Sequence, residues 1–205
     1  MQVEGAPGAL VVIISGPSGV GKDTIIDAMH RRDPERTDRR YVITCTTRAR
    51  RDYEVDGTHY LFLTHERFAA LREADGFLEL AEVHGNWYGT PRDQVVDAIT
   101  AGRDAILKID VQGARAVRAL IPEALLIFVV PPSEDELRAR LKARNTESPE
   151  AFARRMANAV RELERQGEYD HVVTNETGQV DRTAEEIEAI IAREHALHPG
   201  RRLRV

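Results

Sequence analysis

The sequence predicts an α/β fold, a parallel sheet flanked by helices and interrupted by a small, mostly β insertion. Three observations predict it. Leu10–Ser15, Ala105–Ile109 and Leu125–Val130 are short apolar runs of strand length, as suits central strands covered on both faces. Segments with apolar residues at helical spacing alternate with these runs, which is the pattern of parallel sheets. From about Val42 to Tyr88 the pattern changes to short strands with polar alternation around one helix.

The elements follow in order. Leu10–Ser15 is the first strand, Gly16–Gly21 a glycine-rich turn, and Ile25, Ile26 and Met29 the apolar face of the first helix. The insertion holds strands at Val42–Cys45, Tyr60–Leu63 and Phe77–Ala81 and a helix at Glu66–Ala74. A turn at His84–Asn86 suggests a hairpin-like return, and Thr90-Pro91 starts a helix that ends near Gly102. Between the strands Ala105–Ile109 and Leu125–Val130, a helix carries Val111, Ala114 and Val117 on one stripe. Ser133 with Glu136 reads as a capping box, and Ser148-Pro149 as a helix start with proline at its first position. Val172–Val173 is a short strand. Thr183 with Glu186 reads as a second capping box before a last helix bearing Ile187, Ile190 and Ile191. The tail Arg201–Val205 is expected to fray.

Composition bounds the function. The 205 residues suffice for one domain with a sizeable core and an insertion. Apolar residues at 42% and charged residues at 31% argue against wholesale disorder. A net charge of -5 argues against a general nucleic-acid binder. The longest apolar stretches, Ala9–Ile14 and Ala124–Val130, fall far short of the roughly 18 residues that suggest a membrane span. The first residues lack the basic region of a secretory signal, so a soluble, cytoplasmic protein is expected. The single cysteine, Cys45, excludes an internal disulfide and reads as a buried small hydrophobe.

Gly16-Pro17-Ser18-Gly19-Val20-Gly21-Lys22 follows a hydrophobic strand and opens a helix. That is the context of a phosphate-binding loop (P-loop), in which backbone N–H groups and a helix N-terminus surround an anion. Lys22 would reach the outer phosphates of a nucleoside triphosphate. The usual serine or threonine after the lysine is replaced by Asp23, with Thr24 following. A carboxylate there suits Mg2+, directly or through water, and repels phosphate when no metal is present. Equally, Asp23 is a favourable acid in a first helical turn.

Further along, Thr44-Cys45-Thr46-Thr47-Arg48, Arg51, Glu54, Asp56-Gly57 and Tyr60-Leu61-Phe62 form a recognisable set. Phe77-Leu78-Glu79, Gly85–Thr90, Leu107–Ala114, Pro131–Ser133 and Arg144–Glu147 continue it. This set resembles the guanylate kinases, P-loop nucleoside monophosphate kinases, from about Val11 to Asn175. The resemblance implies a P-loop NTPase core (about 8–41, 91–132 and 168–197), a GMP-binding insertion (about 42–90) and a mobile helical lid (about 133–167). It implies transfer of phosphate from ATP to GMP with Mg2+, and no nucleic-acid or membrane partner.

The resemblance also implies roles. Glu79 matches the carboxylate that accepts from guanine N1–H and N2–H2, Thr90 the hydroxyl near O6, and Thr44 a polar residue near the 2-amino group. Arg48, Arg51, Tyr60 and Tyr88 match a clamp on the GMP phosphate. Lys22, Arg140, Arg144 and Arg155 match the cations that stabilise the transferred charge. Asn175 matches the region that meets the adenine of ATP, and Asp110 an acid close to Mg2+ and GMP. Arg138, Arg154 and Arg161 read as solvated face. Lys108 stands where the family usually has an acid; two residues from Asp110 on a strand, it is placed to pair with it. Asp23 and Lys108 together suggest an acid moved from strand to loop. Two alternatives remain at this point: a ribose 1,5-bisphosphate phosphokinase on the same scaffold, and a non-catalytic guanylate-kinase-like binding module.

Overall fold

The structure is a computed structural model that describes residues 3–83, 85–143 and 148–205. The chain begins with β1 (Val11–Ser15), α1 (Lys22–Arg32) and β2 (Arg39–Tyr41). The insertion follows as β3 (Cys45–Thr46), β4 (Leu61–Phe62), α2 (His65–Glu73), β5 (Phe77–Val83) and β6 (Asn86–Pro91). Then come α3 (Arg92–Thr100), β7 (Asp104–Lys108), α4 (Val111–Leu120) and β8 (Leu125–Val130). Next are α5 (Glu134–Ala143) and α6 (Pro149–Leu163), which form the helical lid, then β9 (His171–Thr174) and α7 (Val180–Leu197).

Five parallel strands make the core sheet in the order β2-β7-β1-β8-β9. The apolar run of β1 is buried because alternate side chains meet helices on opposite faces. Val12 and Ile14 pack with Ile25 and Met29 of α1 and Ile187 and Ile191 of α7. Val11 and Ile13 pack with Val95 and Ile99 of α3 and Ala114 and Val117 of α4. Truncating one of these fully buried residues, such as Ile14 to Ala, costs about 2–5 kcal/mol. The chain leaves β1 for β2 on one side, while β8 and β9 lie on the other. The carboxyl ends at such a reversal are where α/β sheets hold ligands.

The second sheet, in the order β4-β3-β6-β5, packs around Cys45, Phe68 and Phe77. The Phe68 and Phe77 rings stack at 4.5 Å. β5 and β6 pair antiparallel, with a register shift between Phe77 and Glu79 that sets Glu79 opposite Thr90. The expected return at His84–Asn86 falls partly on His84, which lies outside the described residues.

Four local expectations are corrected. The strand expected at Val42–Cys45 shrinks to β3 at Cys45–Thr46, and the residues just before it, Arg-Arg-Tyr, too charged to read as a strand, form β2 of the core sheet. It is an edge strand, and Arg39 is paired with Glu188. Thr90 and Pro91 complete β6, and α3 begins at Arg92. Thr183 does not cap α7, which starts at Val180; its buried hydroxyl has the Gln179 carbonyl (3.3 Å) and Asn175 Oδ1 (3.2 Å) as acceptors within reach of its one proton. The tail does not fray. Val3 and Val205 exchange backbone hydrogen bonds at 2.7 and 2.9 Å, and Leu203 is fully buried under β1 and α3. Charged residues alternating with apolar ones hid a strand-like segment. Among the described residues no helix is long and apolar enough to cross a membrane.

Candidate active site

A cleft of about 370 Å³ opens between the carboxyl ends of the core strands, the insertion and α6. Its lining includes Gly16, Lys22 and Asp23 from the loop, Thr44, Arg48, Arg51, Tyr60, Glu79 and Tyr88 from the insertion, and Lys108 and Asp110 after β7.

The loop follows directly from β1. Gly16 has φ +141, and a Cβ there would lie 2.3 Å from the Val129 carbonyl oxygen, so only glycine lets the loop rest on β8. Lys22 Nζ donates back to the Gly16 and Pro17 carbonyls. Burial pulls its pKa below the usual lysine range, against the opposing fields of Glu162, Asp23 and Asp110. Ser18 lines the cleft and accepts from Arg155 Nη2 at 3.3 Å.

Asp23 accepts a hydrogen bond from Lys108 Nζ. The expected pairing of Lys108 with Asp110 is therefore corrected. Asp110 instead caps α4, with Oδ1 accepting from Gly113 N at 2.8 Å. Burial opposes the charge on Lys108, but Tyr60 and Asp23 outweigh it and hold its pKa above the ordinary lysine value.

Glu79 is only 7% exposed, and its Oε1 accepts from Thr90 Oγ1 at 2.6 Å. Burial raises its pKa to about 7, with Asp110 adding to the rise and Thr90 opposing it. A Cβ at position 113 would lie 2.7 Å from Glu79 Oε2, so Gly113 of α4 makes room for the carboxylate. Thr44 is buried in the same wall.

Arg48 and Arg51 are held by a motif residue to which the sequence assigned no role. Glu54 accepts from Arg48 Nη1 (3.0 Å) and Nη2 (2.7 Å), from the Arg51 backbone (2.8 Å) and from Arg51 Nη1 (3.4 Å). Arg48 Nε also donates to the Tyr88 hydroxyl at 3.2 Å, and its guanidinium lies 5.4 Å from the Tyr60 ring centroid. The signal was present: Glu54 follows Arg51 by three within the motif.

The remaining residues that the resemblance singled out lie around the loop and on the lid helices. Asn175 stands against the loop, donating to the Val20 carbonyl at 2.7 Å while its Oδ1 accepts from Thr183. Arg140 is engaged by Glu136 Oε1 (2.7 Å), the Asn175 carbonyl (3.0 Å) and Thr177 Oγ1 (3.2 Å). Val20 is buried in the core and Thr24 is exposed on α1. Arg155 lies within α6. Arg144 lies outside the described residues. Arg154, read as solvated face, lines the cleft, as does Glu162. Glu162 follows Arg155 by seven, two helical turns, which could have revealed it. Cys45 is buried, and burial pushes its thiol up to about 12, aided by Asp93, so it is no nucleophile.

A family model for guanylate kinases matches residues 9–194. The chain belongs to the guanylate kinase family. It is 46% identical over 190 residues to the guanylate kinase of Symbiobacterium thermophilum, covering 93% of this chain and 88% of that one. It is 47% identical over 171 residues to the guanylate kinase of Bordetella pertussis, covering 83% and 78%. The crystal structure of the guanylate kinase from Anaplasma phagocytophilum superposes with a TM-score of 0.72 at 29% identity, over 91% of this chain and 86% of that one. The guanylate kinase fold thus carries this cleft, and the chain is an enzyme of that family.

Proposed function

We propose that this enzyme transfers the terminal phosphoryl group of ATP to GMP. The observation that carries the reading is the buried Glu79 carboxylate, fixed by Thr90 in the same cleft as the phosphate loop. Guanine presents N1–H and N2–H2 side by side, and one ionised carboxylate accepts from both. Adenine presents an acceptor at N1, which the same carboxylate repels. A buried mismatch of this kind discriminates strongly.

In this reading Arg48, Arg51, Tyr60 and Tyr88 bind the GMP phosphate, with Glu54 holding the two arginines in place. The loop from Gly16 to Lys22 binds the ATP phosphates through its backbone N–H groups and the Lys22 ammonium. Arg155, already in contact with Ser18, and Arg144, to which the resemblance gives the same role, stabilise the transferred charge. Asn175 and Arg140 support the loop from its Val20 side.

Mg2+ is expected to arrive with ATP. No group of three or more metal-ligating side chains occurs among the described residues. Asp23 and Asp110, both in the cleft lining, would hold the ion together with the phosphate oxygens. The ion would supply neutralisation of phosphate charge.

A coupled assay of ADP release tests the proposal with GMP, AMP, CMP, UMP and ribose 1,5-bisphosphate as acceptors. Turnover should be fastest with GMP by at least about a hundredfold over AMP. Faster turnover with ribose 1,5-bisphosphate, or binding of GMP without turnover, would contradict it.

A further inference from the structure

Lys108 ends β7 and lies in register with Ile14, one residue before the end of β1. Its ammonium meets two structures at once. It donates to Asp23, in the first turn of the helix that follows the phosphate loop. It also lies 4.5 Å from the centroid of the Tyr60 ring. Tyr60 is edge-on to Tyr88 at 6.0 Å and lies beneath Arg48. One cation therefore touches both the loop assigned to ATP and the cluster assigned to the GMP phosphate.

We propose that Lys108 contacts the phosphoryl group as it passes between the two nucleotides, and that Asp23 is its resting partner. The inference rests on the kinase reading above. Three physical points support it. The side chain is only 13% exposed, so its charge acts in a medium that screens weakly. An ammonium is a compact charge on a flexible stem with three donors, and it turns from a carboxylate to a phosphate oxygen without backbone movement. The stem emerges from a core strand, which fixes its base.

The competing reading is that Lys108 only neutralises Asp23. The double variant Asp23→Asn/Lys108→Met separates the two, because it removes both charges and leaves neither buried alone. Lys108→Met, Asp23→Asn and the double variant are compared with the wild type. The readouts are kcat and KM for each nucleotide, calorimetric GMP affinity without Mg2+, and thermal melting to check folding.

The proposal expects the folded double variant to remain at least about tenfold below Asp23→Asn in kcat, as for other lost phosphate-directed donors. It also expects Asp23→Asn, which frees Lys108, to bind GMP more tightly without Mg2+ than the wild type does. A double variant with the same kcat and GMP affinity as Asp23→Asn would overturn the proposal while leaving the kinase reading intact. A wild type that binds no GMP would overturn that reading, and the proposal with it.

Discussion

Lys108, at the end of β7, and Asp23, in the first turn of α1, form an ion pair beside the phosphate loop. The acid that replaces the loop's usual hydroxyl residue thus has a counter-cation within the protein. Asp23 was expected to repel phosphate whenever metal is absent; the neighbouring ammonium offsets that repulsion. Replacing Asp23 by serine would leave Lys108 facing Tyr60 without this carboxylate. Its side chain is 13% exposed and that of Asp23 33%, so the loss should fall below that of a fully buried pair, at about 1–2 kcal/mol. Urea denaturation of Asp23→Ser should show this loss, and unchanged stability would contradict the pairing.

Glu79 makes stability depend on pH. Its folded pKa of about 7 lies above the ordinary 4.5, so the folded state binds its proton more tightly than the unfolded chain. The stability this contributes is full below about pH 4.5 and is lost as pH rises toward 7. The Glu79→Gln variant should lack this component of the slope. Parallel melting curves for both proteins between pH 4.5 and 7.5 would argue against a buried, proton-binding Glu79.

Glu54 has the opposite sign. Burial disfavours its charge, but Arg48 and the Arg51 backbone N–H outweigh that and hold its pKa below the ordinary value. Its contribution is present above the unfolded pKa and is lost as pH falls through the lower folded one. Glu54→Ala leaves the largely buried Arg48 without its bidentate partner, which should cost about 3 kcal/mol and raise KM for GMP more than KM for ATP. Melting and steady-state kinetics check both; an equal rise in the two KM values would contradict the placement.

Gly113→Ala places a methyl carbon 2.7 Å from Glu79 Oε2, too close for the carboxylate to stay where it is. The carboxylate is held by Thr90 and has little freedom to yield. kcat/KM for GMP should fall by at least about tenfold, which corresponds to 1.4 kcal/mol of transition-state binding, with KM for ATP unchanged. A crystal structure of the variant should show Glu79 displaced. Wild-type kinetics would mean that the carboxylate needs no such clearance.

Much of the fold was legible in the sequence because the buried strands are continuous apolar runs and the helices keep a 3.6-residue period. What escaped shares one cause: local pattern does not report a distant partner. β2 reads as charged because Arg39 is paired with Glu188, nearly 150 residues away (149 apart). Leu203 reads as part of a basic tail because its pocket lies under β1. The same limit applies to the site. Glu79, Arg48 and the loop were visible from motifs. The Lys108–Asp23 pair, the buttressing by Asn175 and the clearance at Gly113 depend on elements that meet only on folding.

The central claim is that the Glu79 carboxylate reads guanine. Calorimetric titration of GMP and of ATP into the wild type and Glu79→Gln at pH 8, where the carboxylate is largely ionised, tests it most directly. Glutamine replaces one acceptor by a donor that opposes a guanine N–H. The account predicts GMP affinity weaker by about 1–3 kcal/mol in the variant, with ATP affinity unchanged. Equal GMP affinity in the two proteins would contradict it.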